Sequence, residues 1–131
     1  MQPKQIWANL AVKDVELTRK FYTAIGFTSN EGHNKTNELT SFKIGEDGFV
    51  VHFFSHDHFT DPAKDGTTDL SGTNEIMFTL WADSRKEADA WATEVRNADG
   101  IILQEPAEFG KGYYGFSFAD PDGHKWNVFN M

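Results

Sequence analysis

Hydrophobic and polar positions alternate at two places in the chain in a way that predicts strands with chemically distinct faces. In the first, Ile6, Ala8, Leu10 and Val12 alternate with Trp7, Asn9 and Ala11. In the second, Ile76, Phe78 and Leu80 alternate with Glu75, Met77, Thr79 and Trp81. Each strand runs into a segment of helical period. Asp14 is placed to cap a helix carrying Val15, Thr18, Phe21, Tyr22 and Ile25, with Gly26 as its left-handed stop. Ser84-Arg85-Lys86-Glu87 has the spacing of a capping box, followed by Ala88, Trp91, Ala92 and Val95, and Asp99-Gly100 ends that helix.

Further strands follow each helix. After a polar stretch around Asn30 to Glu38, the pattern predicts a strand over Leu39 to Ile44, a turn at Glu46-Asp47-Gly48 and a strand over Phe49 to Phe54. The second half repeats this order. Ile101-Ile102-Leu103 forms a short strand that breaks near Pro106, and the Gly-rich run from Phe109 to Gly112 leads into a strand over Tyr113 to Ala119. The turn Asp120-Pro121-Asp122-Gly123 then releases the last strand.

The repetition extends to individual residues. Asp47-Gly48, His52 and Phe54 recur at a constant offset of 75 positions as Asp122-Gly123, Asn127 and Phe129. The expected architecture is therefore α+β: two βαβββ modules, residues 1–56 and 75–131, joined by a polar connector over 57–74. Their strands form a curved mixed sheet around a cup-shaped cavity. At 131 residues the whole is one domain.

In this arrangement Ile6, Leu10, Val12, Ile76, Phe78 and Leu80 face the helices. Trp7, Asn9, Ala11, Glu75, Met77, Thr79 and Trp81 face the other way, joined by His52, Phe54, Asn127 and Phe129. That second set mixes polar and aromatic side chains, a composition suited to a ligand cavity and poor as dry core.

Charge and composition narrow the partners. A net charge of −8, from 20 acidic and 12 basic residues, disfavours nucleic acid and anionic membranes and tolerates a cationic ligand. The absence of cysteine removes disulfides, thiolate zinc sites and a thiol nucleophile. The N-terminal residues lack a signal-peptide pattern, so a cytoplasmic protein is expected. Aromatic residues make up 15% of the chain, enough for a dense core or a ring-lined pocket.

Several polar clusters read as structure. His56-Asp57-His58 lies where a strand gives way to a solvated loop, and His33 and His124 sit in turn contexts. The carboxylates of Asp120 and Asp122 belong to turn chemistry, and Gly110 to Gly115 lacks phosphate-loop spacing. Trp126 lies on the face opposite Asn127 and belongs to the core. Trp7 and Trp81 serve either a cavity or ordinary packing. Tyr114, beside the Gly-rich run, is a candidate hydroxyl for a ligand.

The run Asn9-Leu10-Ala11-Val12-Lys13-Asp14, followed by Lys20-Phe21-Tyr22 and Gly26-Phe27, together with Phe118-Ala119-Asp120-Pro121-Asp122-Gly123-His124, resembles the vicinal oxygen chelate superfamily. This group includes glyoxalase I, extradiol dioxygenases, fosfomycin-resistance enzymes and bleomycin-resistance proteins. The resemblance covers essentially the whole chain. It implies a symmetric homodimer and, in metal-dependent members, ligands at the positions held here by Trp7, His52, Glu75 and Asn127. Of these only His52 and Glu75 are ordinary metal donors.

His52 and Glu75 are therefore the candidate catalytic residues, read as a metal pair, as a general base with an acid or orienting partner, or as a hydrogen-bonded pair in the cavity wall. The ligand-binding candidates are Trp7, Asn9, Phe54, Met77, Thr79, Trp81, Tyr114, Asn127 and Phe129. The function expected is binding of a small organic ligand, cationic or aromatic, without the full metal set and without a cofactor. The alternative is an enzyme of the glyoxalase (lyase or isomerase) or extradiol dioxygenase type, using divalent Fe, Mn, Ni or Zn.

Overall fold

A computed structural model describes residues 1–33, 35–59 and 76–131. The chain divides into two compact units, Met1–Thr67 and Thr68–Met131. Each contains one βαβββ module with its own open four-stranded mixed sheet.

In the first unit, β1 (Trp7–Val12) leads to helix α1 (Val15–Ala24), followed by β2 (Thr28–Ser29), β3 (Leu39–Ile44) and β4 (Phe49–Ser55). The sheet order is β1-β4-β3-β2, with β1 parallel to β4 and the other pairs antiparallel. Asp14 caps α1 as its sequence position predicts, its Oδ1 accepting from the Leu17 amide at 3.0 Å. At the far end the Phe27 amide donates to the Tyr22 carbonyl and the Gly26 amide to that of Thr23. Gly26 takes the left-handed conformation, φ 98°, that this termination requires. The Phe27 ring stacks on Tyr22 at 5.4 Å, completing the hydrophobic contact that goes with it.

Tyr22 is the centre of the first core. Its ring also stacks on Phe53 at 4.6 Å and tilts against Phe42 at 5.7 Å, with Val12, Val51 and Phe21 buried around it. Beside this apolar cluster lies a buried cation that the strand and helix pattern does not announce. Arg19, 5% exposed, donates from Nε and Nη2 to the two carboxylate oxygens of Glu31 at 3.1 and 3.0 Å. It also donates to the Glu16 carboxylate and to the carbonyls of Thr36 and Leu39. The paired, planar geometry is the one guanidinium and carboxylate favour. It fixes the polar segment after β2 against α1, and the Glu31 carboxylate holds the guanidinium pKa above its ordinary value.

In the second unit, β5 (Met77–Trp81) and helix α2 (Arg85–Asn97) precede β6 (Ile101–Phe109), β7 (Tyr113–Ala119) and β8 (Lys125–Asn130). The sheet order β5-β8-β7-β6 reproduces that of the first unit. Ser84 accepts from the Glu87 amide at 3.0 Å. The Glu87 side chain accepts from the amide of Asp83, one residue before the position an ideal capping box uses. α2 ends as α1 does, with the Gly100 amide on the Val95 carbonyl, but Asp99 rather than Gly100 occupies the left-handed position, at φ 62°. Asp is among the residues whose short polar side chains tolerate it.

Three expectations need correction. Ile6 and Ile76 are exposed and do not face the helices, because strand pairing begins one residue later, at Trp7 with Val50 and at Met77 with Lys125. The strand after α2 does not break near Pro106. It continues to Phe109 through two register shifts against β7, and it can do so because β6 is an edge strand whose proline forfeits no ladder bond that the sheet needs. The third is β2, which the hydrophobic pattern missed: both of its residues are exposed, so no alternation marks it. Of the connector expected over 57–74, only residues 57–59 are among those described.

The turn readings hold. Asp120, fully buried, accepts the amides of Asp122 and His124 on Oδ1 at 2.9 Å each, and Gly123 follows at φ 90°. His58 bonds to Ser55 and pairs with Glu38 in the exposed turn after β4. Trp126 is 1% exposed, lying against Phe78 at 4.7 Å and stacked on Phe118 at 6.3 Å.

Candidate functional site

With the helices covering one face of each sheet, the period of two delivers a fixed set of side chains to the other face. In the first unit, register pairs Asn9 with His52 and His52 with Ser41, a polar row across β1, β4 and β3. Trp7 beside Val50 lies on one side of the row, and Ala11 beside Phe54 on the other. In the second unit the corresponding row is Thr79, Asn127, Ser117 and Gln104, with Met77 on one side and Trp81 beside Phe129 on the other.

The second row is closed by its own hydrogen bonds. Ser117 donates its hydroxyl to the Asn127 side-chain oxygen at 2.7 Å, and the Asn127 amide nitrogen donates to Thr79 Oγ1 at 3.3 Å. In the first row the serine is engaged elsewhere: Asn30 donates to Ser41 Oγ at 3.1 Å. Among the described residues, the buried His52 Nδ1 has no hydrogen-bond partner. The imidazole edge meets the Phe54 ring at 5.9 Å, and burial holds the His52 pKa below its ordinary value.

Large apolar side chains stand exposed on these faces. Trp7 is 51% exposed, Met77 47% and Trp81 59%. The Trp81 indole donates to Asp83 at 2.9 Å, which fixes the ring without covering it. Phe129 is positioned by a missing side chain. A Cβ on Gly115, its register partner, would collide with the Val128 carbonyl and with the Phe129 ring, so glycine lets that ring lie over β7 and meet Phe109 at 4.6 Å.

Of the residues singled out in the sequence, Trp7, Asn9, His52 and Phe54 share the open face of the first sheet. Met77, Thr79, Trp81, Asn127 and Phe129 share that of the second. Tyr114 falls on the helix side of its strand. Its hydroxyl donates to Asp89 of α2, which raises its pKa, and Arg85 lies over its ring at 5.1 Å. Glu75 lies outside the described residues. Ser41, Ser117 and Asn30 were missed; the signal for both serines was a polar residue at an inward phase of a predicted strand, directly beside His52 and Asn127.

The metal positions implied by the resemblance can be tested on this chemistry. Among the described residues no three His, Cys, Asp or Glu side chains are grouped to hold a metal ion. An indole at position 7 offers no donor, and the Asn127 amide is committed to Ser117 and Thr79. A metal-bound histidine normally donates its second nitrogen to an acceptor, and His52 Nδ1 has none among the described residues. The described residues therefore do not fit the metal site.

A pair of βαβββ modules with matching sheet orders and open faces defines a class of protein, and comparison with known proteins gives its family. Residues 4–128 match the Glyoxalase/Bleomycin resistance protein/Dioxygenase superfamily, and the chain belongs to it. Among solved structures it is similar to a hypothetical protein, SA1046, from S. aureus, at 29% identity and TM-score 0.84, covering 100% of this chain and 96% of that one. It also resembles a lactoylglutathione lyase from Agrobacterium tumefaciens (20% identity, TM-score 0.67, 99% and 96% covered). A fosfomycin resistance protein, FosX, from Mesorhizobium loti is similar at 15% identity and TM-score 0.70, with 100% and 94% covered. No functionally curated protein matches the sequence. Among the described residues, no helix is long and apolar enough to cross a membrane.

Proposed function

We propose that this protein binds a small aromatic organic ligand, neutral or cationic, on the strand faces opposite its helices, without the family's metal set. The observation that carries this reading is the exposure of Trp7, Met77 and Trp81 on those faces, beside rows of neutral hydrogen-bonding groups. Exposed indole rings provide flat apolar area and attract cations, and a net charge of −8 favours a cation further. The membership of a family that contains bleomycin-resistance proteins agrees with binding that needs no catalytic group.

The test is a tryptophan-fluorescence titration in metal-free buffer with two flat probes, N-methylquinolinium and acetophenone, alongside metal analysis of the purified protein. Saturable binding without metal, weakened in Trp7→Ala or Trp81→Ala, is the expected result. No binding of either probe, with stoichiometric metal retained and lost in His52→Ala and Glu75→Ala, would overturn the proposal in favour of a metal-dependent enzyme.

A further inference from the structure

We infer that His52 is held as the neutral tautomer protonated on Nε2, so that it presents a hydrogen-bond donor to the open face and selects ligands bearing an acceptor such as a carbonyl oxygen. This deepens the ligand-binding reading above and rests on it.

Nδ1 is enclosed and has no partner among the described residues, although the ring as a whole is only half-buried, so the nitrogen available at the open face is Nε2. A neutral imidazole carries one N–H and one bare nitrogen. An enclosed N–H with no acceptor is among the rarest arrangements in folded proteins, whereas an under-used acceptor lone pair is tolerated more readily. The proton therefore belongs on Nε2, where water or a ligand can take it. Protonating Nδ1 as well would bury a charged donor with nothing to receive it, so the imidazolium is disfavoured for the same reason.

The second unit shows what the arrangement is spared. There the central residue is locked by its serine neighbour, Ser117 donating to Asn127 at 2.7 Å. In the first unit the equivalent serine, Ser41, accepts from Asn30 and makes no bond to the imidazole. The row is thus closed in one unit and left with an unlocked donor in the other. The Phe54 ring edge at 5.9 Å and Trp7 on the same face give an acceptor-bearing aromatic ligand surfaces to lie against. The tautomer also separates this role from metal binding or general-base catalysis, both of which need the Nε2 lone pair free.

Long-range ¹⁵N–¹H correlation spectroscopy at neutral pH, with His52→Gln supplying the assignment, reads the tautomer directly in the intact protein. The expected spectrum has a bare Nδ1 and a protonated Nε2. A protonated Nδ1 would overturn the inference. The ligand class is read with an isosteric pair, acetophenone and α-methylstyrene, which differ by a carbonyl oxygen against a methylene. Acetophenone should bind about tenfold more tightly, the ratio that one hydrogen bond supplies, and should lose that advantage in His52→Phe. Equal affinity would overturn the acceptor selectivity while leaving small-ligand binding intact. Binding of neither probe would overturn the binding reading itself, and with it the ligand class assigned here.

Discussion

Ser117 and Asn127 are joined by a hydroxyl-to-amide hydrogen bond of 2.7 Å, while the register partners at the same places in the first sheet, Ser41 and His52, make no side-chain bond to each other. The two modules have matching strand order, so the difference lies in the side chains: the Asn127 oxygen accepts from Ser117, whereas Ser41 accepts from the Asn30 amide and makes no side-chain bond to the imidazole.

Replacing His52 by Asn recreates the second unit's chemistry in the first. His52→Asn should gain stability of up to about 1 kcal/mol, since an enclosed orphan nitrogen is exchanged for a bonded amide. Ligand binding should fall in the same variant. Chemical denaturation and ligand titration, run in parallel, check both. A variant less stable than the parent would show that the imidazole ring fills space that the amide does not.

Acid should act on the same residue. Burial lowers the His52 pKa in the folded protein relative to the unfolded chain. Between that lowered value and the unfolded value of about 6.5, the unfolded state binds more protons, so stability rises with pH across this window. The contribution is fully present above about 6.5 and is lost as pH falls through the folded-state pKa. Denaturation curves at several pH values across this range, for the parent and His52→Gln, should show a shallower loss on acidification in the variant. Identical profiles would mean that His52 is equally protonated in both states.

How much of this was legible in the sequence depended on whether a residue's role was set by period or by partner. The strand phase that sends Leu10, Val12, Phe78 and Leu80 toward the helices, and Asn9, His52, Thr79 and Asn127 away from them, follows from alternation alone. The caps at Asp14 and Ser84 follow from local chemistry. Edge features were harder to read: Pro106 argues against a strand unless the strand is known to be at an edge, which is a tertiary fact. Tyr114 illustrates the other limit. Its place beside the Gly-rich run suggested a hydroxyl offered to a ligand, but its partner, Asp89, is contributed by α2. That His52 is unlocked required knowing that Ser41 turns to Asn30, an arrangement made across β3 and the end of β2.

Arg19 shows the same dependence on partners, although it left a trace in the pattern: it follows Val15 by four positions and so lies within the buried stripe of α1. Removing the guanidinium leaves the Glu31 carboxylate enclosed without its counter-charge and frees the segment it anchors. Arg19→Ala should destabilise by about 3 kcal/mol, in the range seen when one member of a buried pair is removed. Arg19→Lys should recover little of this, because an ammonium cannot bridge both oxygens of Glu31 while also reaching the carbonyls of Thr36 and Leu39. Urea denaturation of the two variants checks this; full rescue by lysine would show that charge alone is required.

Trp81 and Trp126 separate stability from binding within one sheet. They stand on adjacent strands, but Trp126 is enclosed between Phe78 and Phe118 whereas Trp81 is 59% exposed. Trp126→Ala should cost about 3–5 kcal/mol, the transfer free energy of the indole plus the cavity it leaves. Trp81→Ala loses little buried area and should change stability by no more than about 0.5 kcal/mol. If the open face is the ligand surface, the ranking reverses for binding: Trp81→Ala should weaken N-methylquinolinium about tenfold, as loss of an aromatic anchor does. Thermal denaturation and probe titration of both variants provide the comparison. A Trp81→Ala protein that is as stable as the parent and binds the probe unchanged would remove this tryptophan from the ligand surface, since its exposure would then serve neither folding nor recognition of a flat cation.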